Sequence, residues 1–267
     1  MTALPAVAVA EPILLRHDEG AVATLTLNRP KQYNALSEEL LAAMQSELEA
    51  IEHDAAVRVV VIAGAGSAFC AGHDLKQMRA HPRKDYYDAL FAQCSKMMLT
   101  LTRLPQPVIA RVHGIATAAG CQLVAQCDLA VASEEARFAV SGINVGLFCS
   151  TPSVPLVRNV PRKQALEMLL TGDFIDARTA QARGLVNRVA PAAQLDAEVR
   201  KLASAIIGKS AVAVTTGKRM FYRQIEMGIG AAYNFAAETM ACNMMAEDVG
   251  EGIDAFAQKR APVWKDT

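Results

Sequence analysis

"HGIATAAGCQLVAQCDLA", residues 113–130, is the stretch on which the reading of this chain turns. It begins where the apolar run "PVIARV" (107–112) ends, and it passes into a helix-like segment. Gly114, Ala116, Ala118, Ala119 and Gly120 crowd the junction. Small residues let a second backbone or a ligand come close. The first N–H groups of a helix lack internal partners and carry partial positive charge. A second junction, "FCAGHD" (69–74), has the same small character and follows the apolar run "VRVVVIAG" (57–64). Two such N–H groups converging on one point would hold a carbonyl oxygen and stabilise an oxyanion. Tight strand–helix packing accounts for the same residues without any ligand, so the junctions alone leave both readings open.

Outward from the junctions, the pattern is strand, turn, helix, repeated about three times. "AVATLTLN" (21–28) alternates as a strand does. Ser37 caps the helical stretch "EELLAAMQSELEAIEHD". The β-branched run at 57–64 reads as a strand buried on both faces. Helix is expected over roughly 84–103, "PVIARVHG" is a second buried strand, and "DLAVAS" and "ARFAV" are short strands. From about 193 the chain is helical to its end, with a stripe of Met and Phe suited to packing or subunit contact. The class is α/β with mostly parallel strands.

The 267 residues are 52% hydrophobic and 20% charged, with a net charge of zero. That balance, with 5% aromatic residues, argues against a nucleic-acid surface or an anionic membrane as partner. The six cysteines form no C-x-x-C pair and the histidines no H-x-x-x-H pair, so no metal site is expected. "MTALPAVAVAEP" is short, lacks a basic start and is interrupted by prolines, so it reads as a loose tail (1–12) and the cytoplasm as the location.

These motifs resemble those of the crotonase, or enoyl-CoA hydratase/isomerase, superfamily. The resemblance runs from "TLTLNRPKQYNALS" to "FAQKRAPVWK". It rests on Asn28-Arg29-Pro30 with Asn34-Ala35-Leu36, "FCAGHDL", "VHGIATAAGCQLVAQCDLAVAS" and "FIDARTAQARGLVNRV". It implies a spiral of strand–strand–helix units as a core (13–195) and a C-terminal helical trimerisation region (196–267). The implied assembly is a homotrimer or a dimer of trimers. The implied ligand is an acyl-CoA thioester, with coenzyme A entering as part of the ligand and no separate cofactor. Carried over residue by residue, the oxyanion hole is the backbone N–H of His73 and of Ala119, a position where the family usually has glycine. The His73 ring itself is expected to face solvent or CoA; general acid–base work by the ring, whose pKa range suits it, stays open as the alternative. The CoA moiety would lie along Lys31, Gln32, Tyr33, Ala71, Asp74 and Leu75. A neighbouring subunit's Phe256 and Lys259 would complete that contact.

The chain departs from the pattern where the family's hydratases place two glutamates. The resemblance puts those positions at Gln122 and Gly142. A neutral amide cannot take a proton from water near neutral pH, and glycine offers no group at all. General acid–base catalysis is worth about 100- to 10,000-fold per group, so ordinary hydration is expected to be weak or absent. Cys149 and Ser150 are the candidate substitutes: Cys149 would be a nucleophile if a helix start lowered its pKa. The plainer reading makes Cys149 a buried apolar residue and Ser150 or Thr151 a helix cap. With "LFCSTP", the lost carboxylates resemble a divergent subgroup, the enoyl-CoA hydratase domain-containing protein 3 type. Two functions stand: a hydratase/isomerase-family enzyme (lyase or isomerase) of unspecified reaction, or a non-catalytic binder that sequesters acyl-CoA.

Overall fold

In the computed structural model, residues 11–267 are described; most of the tail expected over 1–12 lies outside them. Ten strands and eleven α-helices alternate among these residues. The strands are β1 (Leu14–Glu19), β2 (Val22–Leu27), β3 (Val59–Gly64), β4 (Ala68–Cys70), β5 (Val108–Val112), β6 (Ile115–Thr117), β7 (Leu129–Ser133), β8 (Arg137–Ala139), β9 (Ile175–Asp176) and β10 (Arg188–Ala190). They form a six-stranded sheet, β1-β2-β3-β5-β7-β10, and a four-stranded sheet, β4-β6-β8-β9. Pairing is parallel except for β1 with β2 and β8 with β9. Each of the pairs β3–β4, β5–β6 and β7–β8 sends its first strand to the larger sheet and its second to the smaller one. Helix follows each pair, so the chain winds as a spiral.

The helices are α1 (Glu38–Glu52), α2 (Leu75–Ala80), α3 (Lys84–Arg103), α4 (Ala119–Gln126), α5 (Ser150–Asn159), α6 (Arg162–Thr171), α7 (Ala177–Ala182), α8 (Leu195–Ile207), α9 (Ala211–Gln224), α10 (Ile229–Asn243) and α11 (Glu247–Gln258). Ser37 caps α1 as its sequence indicates, its hydroxyl accepting from the Leu40 amide at 3.3 Å. The β-branched run of β3 is buried on both faces. Val60 and Ile62 enter the main core with Val108, Ala110 and Val112, while Val59 and Val61 pack with Leu195, Val199 and Ala203 of α8. Strand alternation therefore divides one run between two cores.

A buried ion pair ties the C-terminal helices to the sheet. The Lys218 ammonium on α9 reaches Asp128 at 2.6 Å and also donates to the Leu101 and Gln106 carbonyls. Asp128 in turn accepts from the Tyr222 hydroxyl and the Val108 amide. Every member is satisfied, which gives Asp128 a structural task.

Candidate functional site

The two small-residue junctions meet. Ala71 N–H donates to the Tyr33 carbonyl and Leu36 N–H to the Gly72 carbonyl, which fixes the 71–74 loop against the 29–36 turn. Asn34, fully buried, braces both: its amide nitrogen donates to the carbonyls of Ala65, Ala68 and Phe69, and its oxygen accepts from the Arg29 amide. The Arg29 guanidinium pairs with Asp74 at 2.9 Å. Burial works to raise the Asp74 pKa, but Arg29 and the Gln77 and Lys76 amides outweigh it and hold the carboxyl below its ordinary range.

Gly72 is needed for its freedom. Its φ is +92°, and a Cβ there would stand 2.9 Å from the Ala118 Cβ and 3.0 Å from the Ala119 nitrogen. The loop thus lies directly against the start of α4. Ala119 is the first residue of that helix and has no positive φ, so a Cβ is tolerated at the oxyanion position. The strain falls one residue earlier: Ala118 has φ +50° and ψ −121°, a conformation that costs about 1–3 kcal/mol in a residue with a Cβ. Neither the His73 nor the Ala119 amide has an acceptor among the described residues. Both residues line a cavity of about 200 Å³ whose wall, among the described residues, is mainly apolar and contains no carboxylate.

The opposite wall is the 3-10 turn Ser141–Val145 and the start of α5. The Thr117 and Ser141 hydroxyls bond at 2.7 Å and join the two walls. Gly142 donates its N–H to the Cys149 sulfur at 3.2 Å. A Cβ on Gly142 would meet the Leu147 carbonyl oxygen at 2.6 Å and that sulfur at 2.7 Å. The space a longer side chain would need is occupied.

Several expectations from the sequence change here. The helix cap is Cys149 itself; Ser150 is the first helical residue, and its hydroxyl donates to the Phe148 carbonyl at 3.3 Å. Burial pushes the Cys149 thiol above its ordinary pKa despite the opposing Gly142 N–H, which disfavours a thiolate. Gln122 is 4% exposed and is not part of the cavity wall; its Oε1 is buried without a partner. The His73 ring does not face solvent. Both of its nitrogens are buried, and it packs edge-on to Phe91 with ring centroids 5.4 Å apart. Burial lowers its pKa, with the Leu36 carbonyl pulling weakly the other way.

Of the residues expected against CoA, Ala71 and Leu75 line the cavity. Lys31, Gln32 and Tyr33 are exposed on the turn beside it. Phe256 and Lys259 lie on and just after α11, exposed and away from this cavity within one chain. Met78 and Phe91, on α2 and α3, are wall residues that helical periodicity alone does not mark out.

A sequence profile of the enoyl-CoA hydratase/isomerase family matches residues 17–267. The chain belongs to this family. Its relatives include enoyl-CoA hydratase domain-containing protein 3, mitochondrial, of Xenopus laevis, 46% identical over 95% of this chain and 86% of that protein. The human protein of the same name is 46% identical over 91% and 80%. Among solved structures, an enoyl-CoA hydratase of Mycobacterium smegmatis superposes with a TM-score of 0.94 at 60% identity, over 95% of this chain and 99% of that one. Human enoyl-CoA hydratase domain-containing protein 3 superposes with a TM-score of 0.92 at 43% identity, over 95% and 100%. The family membership and the crotonase fold follow. The cytoplasmic location does not: the vertebrate relatives are mitochondrial proteins, which overturns it. An organelle address is written in a targeting segment, and the composition of a folded core carries no trace of it.

Proposed function

We propose that the cavity binds an acyl-CoA thioester and that the protein is a weak or inactive hydratase. The thioester oxygen would accept from the His73 and Ala119 amides, and CoA would run along Ala71, Leu75 and the exposed 31–33 turn. The observation that carries the reading is the pair of unengaged amides held in register by Gly72. Family membership supports the ligand class. The weak hydration rests on Gln122 and Gly142. Gln122 is off the cavity wall, and Gly142 is hemmed in by Leu147 and Cys149, so substitution by glutamate at 142 alone would not create a working carboxylate.

The mainly apolar, carboxylate-free wall also favours a second reading, a binder that sequesters thioesters without turning them over. In either case the proposed assembly is a homotrimer or a dimer of trimers built through residues 196–267. Its support is the exposed apolar surface of α10 and α11, which includes Ile229, Tyr233, Met240 and Phe256.

The test replaces Ala119 by its α-hydroxy analogue, lactic acid: the backbone ester removes the N–H that the proposal needs and leaves the Ala118 backbone, which a following proline would not tolerate, as it is. Calorimetry should show butanoyl-CoA binding weakened by about tenfold, roughly 1.4 kcal/mol, with free CoA bound as before. Equal butanoyl-CoA affinity in the variant and the wild type would refute the oxyanion role of Ala119.

A further inference from the structure

We infer that the acyl group taken by this protein is long and ends in a carboxylate. The ligand class is an ω-carboxyacyl-CoA, the thioester of a dicarboxylic acid, and Lys76 and Arg79 meet its distal carboxylate. This rests on the cavity being an acyl-CoA site and concerns what lies beyond it. A groove of about 700 Å³ adjoins the cavity, and Leu75, Met78 and Val145 line both. A chain that leaves the cavity past these three side chains, between α2 and the Ser141–Val145 turn, enters the groove. The cavity of about 200 Å³ is by itself smaller than the roughly 300–1,000 Å³ usual for small-molecule sites; the groove brings the space into that range. Leu75 and Val145 are exposed apolar residues at the join, and an alkyl chain lying there would remove them from water.

The rest of the groove is formed by Ala80, Tyr87, Lys76 and Arg79, and its surface is mainly apolar. Tyr87 spends its hydroxyl on the Met78 carbonyl at 3.1 Å. Lysine and arginine lay their stems along apolar surface and keep their charged heads at its edge. The groove therefore suits methylenes along its length and an anion at its mouth. No Asp or Glu lines it among the described residues. The acids of the surrounding stretch are taken by other cations: Asp74 by Arg29, Asp85 by Arg83 and Asp88 by Lys84. Lys76 and Arg79, three residues apart on α2, are neighbours on its surface and are left without an acidic partner among the described residues.

The phosphates of CoA are the other anions these cations could meet, and the fold directs CoA elsewhere. Gln77 accepts from the Glu38 amide at 3.1 Å, and Asp74 holds Arg29. These contacts turn one side of α2 toward the 29–38 segment, which carries the turn proposed for CoA. Gln77 and Arg79 stand two residues apart, roughly 200° around the helix, so Arg79 lies on the opposite side. The inner cavity itself has no Lys or Arg on its wall among the described residues. A carboxylate close to the thioester would thus find no cation, and one at the end of a longer chain would find two.

The experiment is calorimetry in low salt with octanedioyl-CoA, octanoyl-CoA, butanedioyl-CoA, butanoyl-CoA and free CoA. Wild type should bind octanedioyl-CoA about fivefold more tightly than octanoyl-CoA, the scale of an exposed charge pair. Butanedioyl-CoA should show no such advantage over butanoyl-CoA. The double variant Lys76→Gln, Arg79→Gln should bring the ratio for the long pair to about one, and Lys76→Glu with Arg79→Glu should invert it. Both positions are exposed, where substitutions change stability little. A wild-type ratio of one for the long pair, or an equal preference in the short pair, overturns the assignment. So does a glutamine variant that weakens octanedioyl-CoA, octanoyl-CoA and free CoA by the same factor, because the two cations would then serve the CoA phosphates. Wild type that binds no thioester at all refutes the ligand reading itself, and this inference falls with it.

Discussion

Gly120→Ala should cost about 4 kcal/mol or more of folding stability in urea denaturation. A Cβ at this position would lie 2.0 Å from the Cys70 carbonyl oxygen and 2.7 Å from the carbonyl carbon. The obstacle is strand backbone, so no rotamer change relieves it. Helix α4 would have to move roughly 1 Å off β4, and displacements of that size cost on the order of 100-fold where reacting groups must be aligned. The variant should therefore lose acyl-CoA affinity as well as stability, because Ala119 rides on the same turn. A loss of stability under about 1 kcal/mol would mean that α4 and β4 do not pack as described.

The second large effect is expected from Asn34→Asp. The amide nitrogen at Asn34 faces three carbonyl oxygens, at 2.8, 2.8 and 3.2 Å, in a fully buried position. A carboxylate there would keep the Arg29 N–H on one oxygen but turn the other against acceptors only, so the folded state should lose roughly 3–5 kcal/mol at neutral pH. The new acid would hold its proton to a higher pH in the folded state than its unfolded value of about 3.9. The folded state then binds more protons than the unfolded one above that value. The deficit relative to wild type should grow as pH rises from about 4 and shrink on acidification. Urea titrations at several pH values would show this. A deficit independent of pH would contradict the placement of the side chain among those carbonyls.

Both variants act where the sequence is most informative. The runs of β3 and β5 are legible because each is buried on both faces, so apolar character is continuous and independent of tertiary detail. The strands β4, β6 and β8 have three residues each and take their partners from the winding of the spiral, which no local pattern encodes. β1 is mostly exposed, so it lacks the alternation that marks a half-buried strand. At the site, the spacing of small residues locates the two amides. It does not show that strain rests on Ala118, or that the His73 ring turns inward against Phe91 on a helix some twenty residues on. Nor does the sequence show why position 142 is glycine. That answer needs the turn through Gly146, with φ +80°, which brings Leu147 and Cys149 back across it.

The measurement that bears most directly on the account is the turnover of crotonoyl-CoA to its hydrated product, at saturating substrate, on protein shown to bind acyl-CoA. Ordinary enzymes turn over at about 10 per second. The absence of a carboxylate from the cavity wall predicts a rate at least about 100-fold lower, with binding intact. A rate of about 10 per second would contradict it: a hydration machine would then operate in this cavity without either glutamate, and the meaning assigned to Gln122 and Gly142 would be wrong.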